Sequence, residues 1–331
     1  MTGPRPKDAI PRTSAVRYTH PWLPGGRLGV LWLVMLAVFA LRAPAFFSAG
    51  NVSSILQFST LLALVTFGQT LVIVAGGGGI DLSVGGMVSL SGLLTAGLLA
   101  KGAAPLPAAL AGVLLGVVLG LLNGLLITRL RLLPLMVTLG SFYAYNGLAL
   151  ALTGGAPVSG LPPSFGFLGQ GMVIGVPVHT VLLVVPSFCL LSFGLNQTPL
   201  GRWIYATGGN ERSARLLGVP VDAIRMGVYA ASGLLSGLAG VMADSWLLSA
   251  RPNIGENLEL LSLTAALLGG ARISGGAGGM TGSLSAVLFF TSLQAGLQML
   301  NVNAIWQLGA VGALLIGSVL VERLITNPIT A

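Results

Sequence analysis

Charge is what this sequence most lacks. Of its 331 residues 7% are Asp, Glu, Lys or Arg, while 54% are hydrophobic. A soluble domain carries about a quarter charged residues, and so little charge leaves more apolar surface than water tolerates. A soluble globular fold is therefore excluded, and the chain reads as an integral membrane protein. Thiol chemistry is almost absent as well. Cys189 is the single cysteine, so no intrachain disulfide can form, and its apolar surroundings predict a buried, inert thiol. There are two histidines, His20 and His179, and the topology derived below puts them on opposite sides of the membrane. Without paired acids on a helix there is no material for a metal site or a nucleophile, and no catalytic residue or cofactor is expected. Lysine is equally scarce. Lys7 precedes Asp8 and Lys101 precedes Gly102, so neither closes a Gly-Lys-Ser/Thr phosphate loop. The chain has no ATP site of that kind.

What is present is apolar, basic and rich in glycine. The formal charge is +8, yet the basic residues are scattered between apolar runs rather than gathered in a patch, which excludes a nucleic-acid partner. They mark topology instead. Residues 1–27 form a polar tail with Arg5, Lys7, Arg12, Arg17 and Arg27 against Asp8. An apolar run follows from Leu28 to about Phe47. Ala43-Pro44-Ala45 loosely resembles a signal-peptide cleavage box, but the long polar lead and the proline favour an uncleaved first helix. Further runs cover roughly 53–75, 82–100, 106–128, 133–153, 172–195, 225–247, 257–271, 277–299 and 304–321. Continuous runs exclude a barrel of alternating strands. The expected fold is all-α and polytopic, with about ten hydrophobic segments, some broken or re-entrant. With the N-terminus inside, Arg129, Arg131, Arg202, Arg212, Arg215, Arg225, Arg272 and Arg323 all fall on the cytoplasmic side, as the positive-inside rule requires. Both termini are then cytoplasmic, and the chain divides into a tail (1–27), one transmembrane domain (28–325) and a short C-terminal tail (326–331).

Glycine, 49 residues in all, is concentrated in two clusters. One runs from Gly76 through Gly78, Gly79, Asp81, Ser83 and Gly85 to Met87. The other runs from Gly269 and Gly270 through Ser274, Gly275 and Gly276 to Met280. Placing Met87 on Met280 also superposes Gly85-Gly86 on Gly278-Gly279, which hints at an internal repeat. Consecutive glycines hold a helix poorly, each costing about 1 kcal/mol relative to Ala. Such breaks are either tight structural turns or parts of a moving transporter core. Asp81 reads as a functional acid at a break or as the N-cap of the next helix, and capping is the better fit. The polar stretch 196–225 contains a compact helical pattern. Asn210 can cap it, Glu211 lies in its first turn, Ala214 and Leu217 share a face, Arg212 and Arg215 share another, and Gly218 ends it. Asp222 can then cap the helix that re-enters the membrane. A short helix with exposed arginines suits docking of another protein better than lying on lipid. Within the spans, Gln69, Asn123, Asn146, Gln294 and Gln298 are uncharged polar groups that could line a path or tie helices together. Asp244, near the outer end of its helix, is the one acid that could serve ion coupling.

The motif Gly78-Gly79-Ile80-Asp81-Leu82-Ser83-Val84-Gly85 resembles the signature of permease subunits of bacterial carbohydrate ABC importers of the ribose type. Gly201-Arg202, Ile204-Tyr205-Ala206, Gly208-Gly209-Asn210, Ala214, Gly218-Val219, Gly269-Gly270 and Ser274-Gly275-Gly276 follow in the same order, and the similarity spans about residues 30–325. The resemblance implies a permease in the bacterial inner membrane that pairs with a second copy or a sister permease. Cytoplasmic ABC ATPase subunits would drive it and a periplasmic or membrane-anchored sugar-binding protein would feed it. It implies that 207–218 is the coupling helix seated on the ATPase, and that the cargo is a monosaccharide. Ser249-Ala250-Arg251 and Gly296-Leu297-Gln298-Met299 are also similar to permeases for the furanose-like signal autoinducer-2, which leaves the cargo open between the two. Asp244 departs from the small or apolar residue expected at its position. A proton-coupled sugar carrier acting alone is the competing class.

Overall fold

The computed structural model describes residues 24–303 and, beyond them, 306–307, 309, 312–313 and 316–317. Apolar runs become helices, and proline or glycine ends them. Helix α1 (Pro24–Arg42) leads through a 3-10 turn, Pro44–Phe47, into α2 (Ala49–Val74). Then come α3 (Val84–Ala100), α4 (Pro105–Arg129) and α5 (Pro134–Thr153). A non-helical stretch carries β1 (Val158–Ser159), a short α6 (Phe167–Gln170) and the β2–β3 hairpin (Met172–Val173, Val176–Pro177). One π-helical turn, Thr180–Val184, opens α7 (Val185–Gln197). After it come α8 (Pro199–Gly209), α9 (Glu211–Leu216), α10 (Val221–Leu247), β4 (Ser249–Ala250), α11 (Leu258–Leu268) and α12 (Met280–Met299). Proline stands in the first turn of α4, α5 and α8, where its fixed φ and missing N–H cost nothing.

Among the described residues six helices are long and apolar enough to cross a bilayer: α2, α4, α5, the 180–197 unit, α10 and α12. The apolar parts of α1, α3 and α11 are shorter. Nine of the ten expected segments thus appear as helices. Of the tenth, the described residues are helical and the remainder lies outside the described set, as do His20 and the tail up to residue 23. The segment expected over 172–195 begins late, because Gly175 and Pro177 turn its first residues into the β2–β3 hairpin.

Helix α10 is the axis of the bundle, packed on α2, α3 and α4. Lipid offers no hydrophobic drive for helices to associate, so close backbone approach through small residues must hold them. Along α4, Gly116 meets Gly233 and Gly237 while Gly120 meets Tyr229 and Gly233, and a Cβ at either would overlap α10 backbone. Helix α2 is interior, with 83% of its apolar window buried, whereas the 180–197 unit has 11% buried and forms an outer edge of the subunit. Cys189 lies on that edge and is exposed. The expectation of a buried thiol is corrected here: an apolar neighbourhood in a membrane chain does not distinguish the interior of the subunit from its apolar outer surface. At the end of the bundle opposite α9, β1 and β4 pair antiparallel, Val158 with Ala250 and Ser159 with Ser249.

Candidate functional site

The first break follows α2. Gly76, Gly77 and Gly78 all take left-handed φ values of 70°, 68° and 71°, a run that residues with a Cβ avoid. The chain doubles back beside its own helix, with Gly79 against the Val72 carbonyl, and delivers Asp81 into a fully buried position. There Asp81 Oδ1 accepts from the Ser83 N–H at 3.0 Å and the Ser83 hydroxyl at 2.6 Å, and Oδ2 accepts from the Ser232 hydroxyl of α10 at 2.8 Å. Ser83 Oγ in turn accepts from Asn123 Nδ2 of α4 at 2.7 Å, and Asn123 Oδ1 accepts from the Ser141 and Tyr145 hydroxyls of α5 at 2.6 and 3.3 Å. In the amide orientation that satisfies both partners, Gln69 of α2 donates to the Asp81 carbonyl at 2.9 Å and accepts from its N–H at 3.3 Å. One expectation is corrected. Asp81 is not the N-cap of α3, a place held by Ser83 without a side-chain cap bond; it ties the break to α10. Gln69 and Asn123 are fully buried and tie helices together, one of the two roles expected of them. Asn146 and Gln294 are half-buried and Gln298 is exposed.

The second break, 269–279, contains Gly270, Gly275, Gly276 and Gly278 at positive φ. Each break opens onto a helix, α3 or α12, so both units read helix–break–helix. They also touch. The Gly276 N–H donates to the Val74 carbonyl at 2.9 Å, and a Cβ on Gly275 would lie 2.5 Å from Gly76 Cα. Gly269 abuts Gly282 and Ser283 at the foot of α12.

The third member of this junction is α8, an element the sequence reading did not anticipate. Its signal was Thr198-Pro199: the Thr198 hydroxyl accepts from the Gly201 N–H at 3.3 Å and Pro199 takes the first position. At its far end Gly208 fits between the Val74 carbonyl and the Gly276 nitrogen, and Gly276 sits against Gly209. Tyr205 donates to the Gly278 carbonyl at 2.7 Å. The end of α8 and both breaks therefore meet backbone to backbone.

Helix α9 starts as expected, with Asn210 Oδ1 accepting from the Ser213 N–H at 2.9 Å and Gly218 ending it at φ 79°. Three details differ. Arg215 does not share a free face with Arg212: it pairs with Glu211 at 3.0 Å and Asp222 at 2.5 Å, while Arg212 is exposed. Ala214 is buried but Leu216 and Leu217 are 82% and 81% exposed, because the six-residue helix ends before Leu217 can follow its register. Asp222 pairs with Arg215, and Pro220 holds the N-cap position of α10. Arg225 of α10 reaches Glu211 at 2.6 Å and lays its guanidinium over Gly77 of the first break. These charges line a cavity of about 450 Å³ with Thr128, Arg131 and Pro134.

Partial burial raises the Glu211 carboxyl, but hydrogen bonds from Arg225 and Arg215 outweigh it and hold the group below the ordinary 4.5. A carboxylate lowered in the folded state contributes stability that is fully present above its unfolded value and is lost as pH falls through the folded value. Thermal stability in detergent should therefore be flat from neutrality to about pH 5 and fall below it. In Glu211→Gln the part of that acid loss due to this network should disappear.

Asp244 of α10 is 1% exposed, with both carboxylate oxygens unpartnered against Gly92 of α3. Among the described residues no group of three His, Cys, Asp or Glu could hold a metal ion.

Membrane-crossing helices, two breaks joined at one end, and a charged helical loop seated on that joint define a transport permease. The chain belongs to the family described as the branched-chain amino acid transport system / permease component, which matches residues 51–319. It is 40% identical over 301 residues to a ribose import permease protein of Bacillus subtilis (90% of this chain, 92% of that one). It is 34% identical over 296 residues to a D-allose transport system permease protein of Escherichia coli (89% and 90%). An L-arabinose ABC transporter permease protein of Azospirillum brasilense is 31% identical over 322 residues (97% and 94%). No solved structure matches.

Proposed function

We propose that this multi-pass membrane chain is the translocation subunit of an ATP-driven importer of a monosaccharide. It works in the bacterial inner membrane with both termini in the cytoplasm. Its partners are a second permease copy or sister permease, a cytoplasmic ABC ATPase and a periplasmic or membrane-anchored sugar-binding protein. Relatives named for ribose, allose and arabinose, each covering nearly the whole chain, support the cargo class. The observation that carries the mechanism is the glycine junction. A push on α9 reaches Gly208, and Gly208 has only backbone to push against: Val74 at the end of α2 and Gly276 in the second break. Arg225 adds a charged strut from Glu211 to Gly77. Backbone packed this closely cannot absorb an ångström-scale shift, so the motion passes to the glycine breaks, whose φ freedom lets them act as hinges.

Exposed Arg212, Leu216 and Leu217 form the ATPase-docking face. In the complete transporter, Arg212→Glu combined with Leu217→Asp should lower sugar uptake and ATP hydrolysis at least about tenfold, as loss of an interface hot spot does. The permease level in the membrane should stay normal. Uptake at the parental rate would remove α9 from this role. Competition between labelled ribose, allose, arabinose and autoinducer-2 for uptake names the cargo.

Asp244 favours a second reading, a proton-coupled carrier acting alone, since a buried acid without partners suits proton exchange. The purified chain, reconstituted without any ATPase, decides between them. Gradient-driven accumulation of sugar would establish the carrier, and accumulation only when the ATPase and ATP are added would establish the importer.

A further inference from the structure

The segment between α10 and α11 behaves unlike a surface loop. After β4, residues 251–257 run from the end of the bundle opposite α9 inward to the start of α3. There the Gly255 N–H donates to Ser89 Oγ at 3.1 Å, and a Cβ on Gly255 would overlap the Gly85 carbonyl. This meeting point is deep. From Gly85 to the far end of α3 at Ala100 is about 22 Å at 1.5 Å per residue. From the other side, Gly86 packs on Tyr145, about 16 Å along α5 from Pro134. Both measures place Gly255 well inside a hydrocarbon layer about 30 Å thick, far from either surface. Helix α11 begins at that depth and, with Leu258–Leu268, covers only about 16 Å. It is a half-span entered by a re-entrant loop.

At that depth the chain is irregular and polar. The Ile254 N–H donates to Arg251 and the Glu256 N–H to Asn253, as successive turns, and Asn257 is left-handed at φ 68°. Asn257 precedes α11 without capping it. Asn253, Glu256 and Asn257 are exposed on the surface of the subunit. Directly behind them Glu259, 8% exposed, holds Oε2 without a partner beside Gly85. Irregular backbone with exposed polar side chains has no place against lipid. It persists at membrane depth only where it lines a water-filled cavity or is covered by protein.

We infer that the 251–257 loop lines the aqueous path of the permease, and that Asn253, Glu256 and Asn257 hydrogen-bond the hydroxyl groups of the passing solute. The chemistry fits a neutral polyol. Each Asn amide donates and accepts, as a hydroxyl does, and Glu256 accepts only. The identity of that polyol as a monosaccharide rests on the function proposed above. The loop also has a route to the first glycine break, because Gly85, on which it rests, opens the helix that the Asp81 break sets in place.

Thiol accessibility tests this in membranes carrying the permease with its ATPase and binding protein. Cys189→Ser clears the background, and Asn253→Cys, Glu256→Cys and Leu114→Cys are then made singly, Leu114 being a 62% exposed apolar position on α4. A charged, membrane-impermeant methanethiosulfonate should label the two loop positions at least about tenfold faster than Leu114→Cys, because apolar surroundings suppress the reactive thiolate. Labelling as slow as at Leu114→Cys would overturn the inference and mean that a second copy or other protein covers the loop. Asn253→Ala and Asn257→Gly, the latter keeping the left-handed φ, should each cut sugar uptake about 3- to 10-fold for one lost hydrogen bond; unchanged uptake in both would remove the solute contact. If the parent complex moves no monosaccharide while the loop labels fast, the path stands and the cargo reading falls. If the parent moves sugar while the loop stays unlabelled, the path falls and the cargo reading stands.

Discussion

Valine at Gly208 is expected to lower sugar uptake at least about 100-fold, equivalent to roughly 2.7 kcal/mol of lost coupling. The added Cβ would overlap the Val74 carbonyl oxygen and the Gly276 nitrogen. Those two groups form the hydrogen bond, 2.9 Å long, that joins the breaks. The obstruction is backbone on both sides, so no side chain can swing away. Overpacking of this kind costs about 1–3 kcal/mol, and loss of the buried hydrogen bond adds about 1–3 kcal/mol. The local helix does not itself object, because valine is a better helix former than glycine. The variant should therefore reach the membrane and keep hydrolysing ATP with its partners, while the hydrolysis no longer drives uptake. Gly227→Ala serves as the control, since no atom lies within 4 Å of a Cβ there, and it should transport as the parent does. Parental uptake by Gly208→Val in vesicles would refute the junction as the transmission point.

Asp81→Ala is expected to destabilise the permease by about 3 kcal/mol, because three donors lose their acceptor in a buried site and each orphan costs about 1–3 kcal/mol. Those donors are the Ser83 N–H, the Ser83 hydroxyl and the Ser232 hydroxyl. The damage spreads, since Ser83 holds Asn123 and Asn123 holds Ser141 and Tyr145. Melting of the detergent-solubilised protein should fall by about 4 °C. Asp81→Asn, which keeps one acceptor oxygen, should fall between the parent and Asp81→Ala. Ser232→Ala removes a single tie and should cost about 1 kcal/mol. If Asp81→Ala melts with the parent, the carboxylate does not hold the break.

Much of this architecture was legible in the sequence. The apolar runs gave nine helices close to their expected bounds, because span length and the scarcity of charge are local properties. Both glycine breaks fell where consecutive glycines made a helix untenable, and Asn210 capped α9 through the chemistry its side chain predicts. Helix α8 was missed because its residues, Pro199–Gly209, mix polar and apolar types without a long run, leaving only the Thr-Pro start to announce it. The four-residue spacing of Gly112, Gly116, Gly120 and Gly124 stood in the sequence as well, although nothing there says which helix it meets.

The sequence by itself determined that the chain lives in a membrane, that it is helical, and where its helices break, because hydropathy and backbone freedom are written residue by residue. Only the tertiary structure decided that Asp81 ties a break to Ser232, that Arg215 is spent on Glu211 and Asp222, and that Gly76, Gly208 and Gly275 share one point. It also decided that the loop at Gly255 descends to Gly85. Each of those outcomes depends on a partner elsewhere in the fold, most of them far along the chain. In lipid the usual guide to such partners is lost. An apolar side chain is as well accommodated by a lipid tail as by a neighbouring helix, so composition that marks the membrane leaves the interior unmarked.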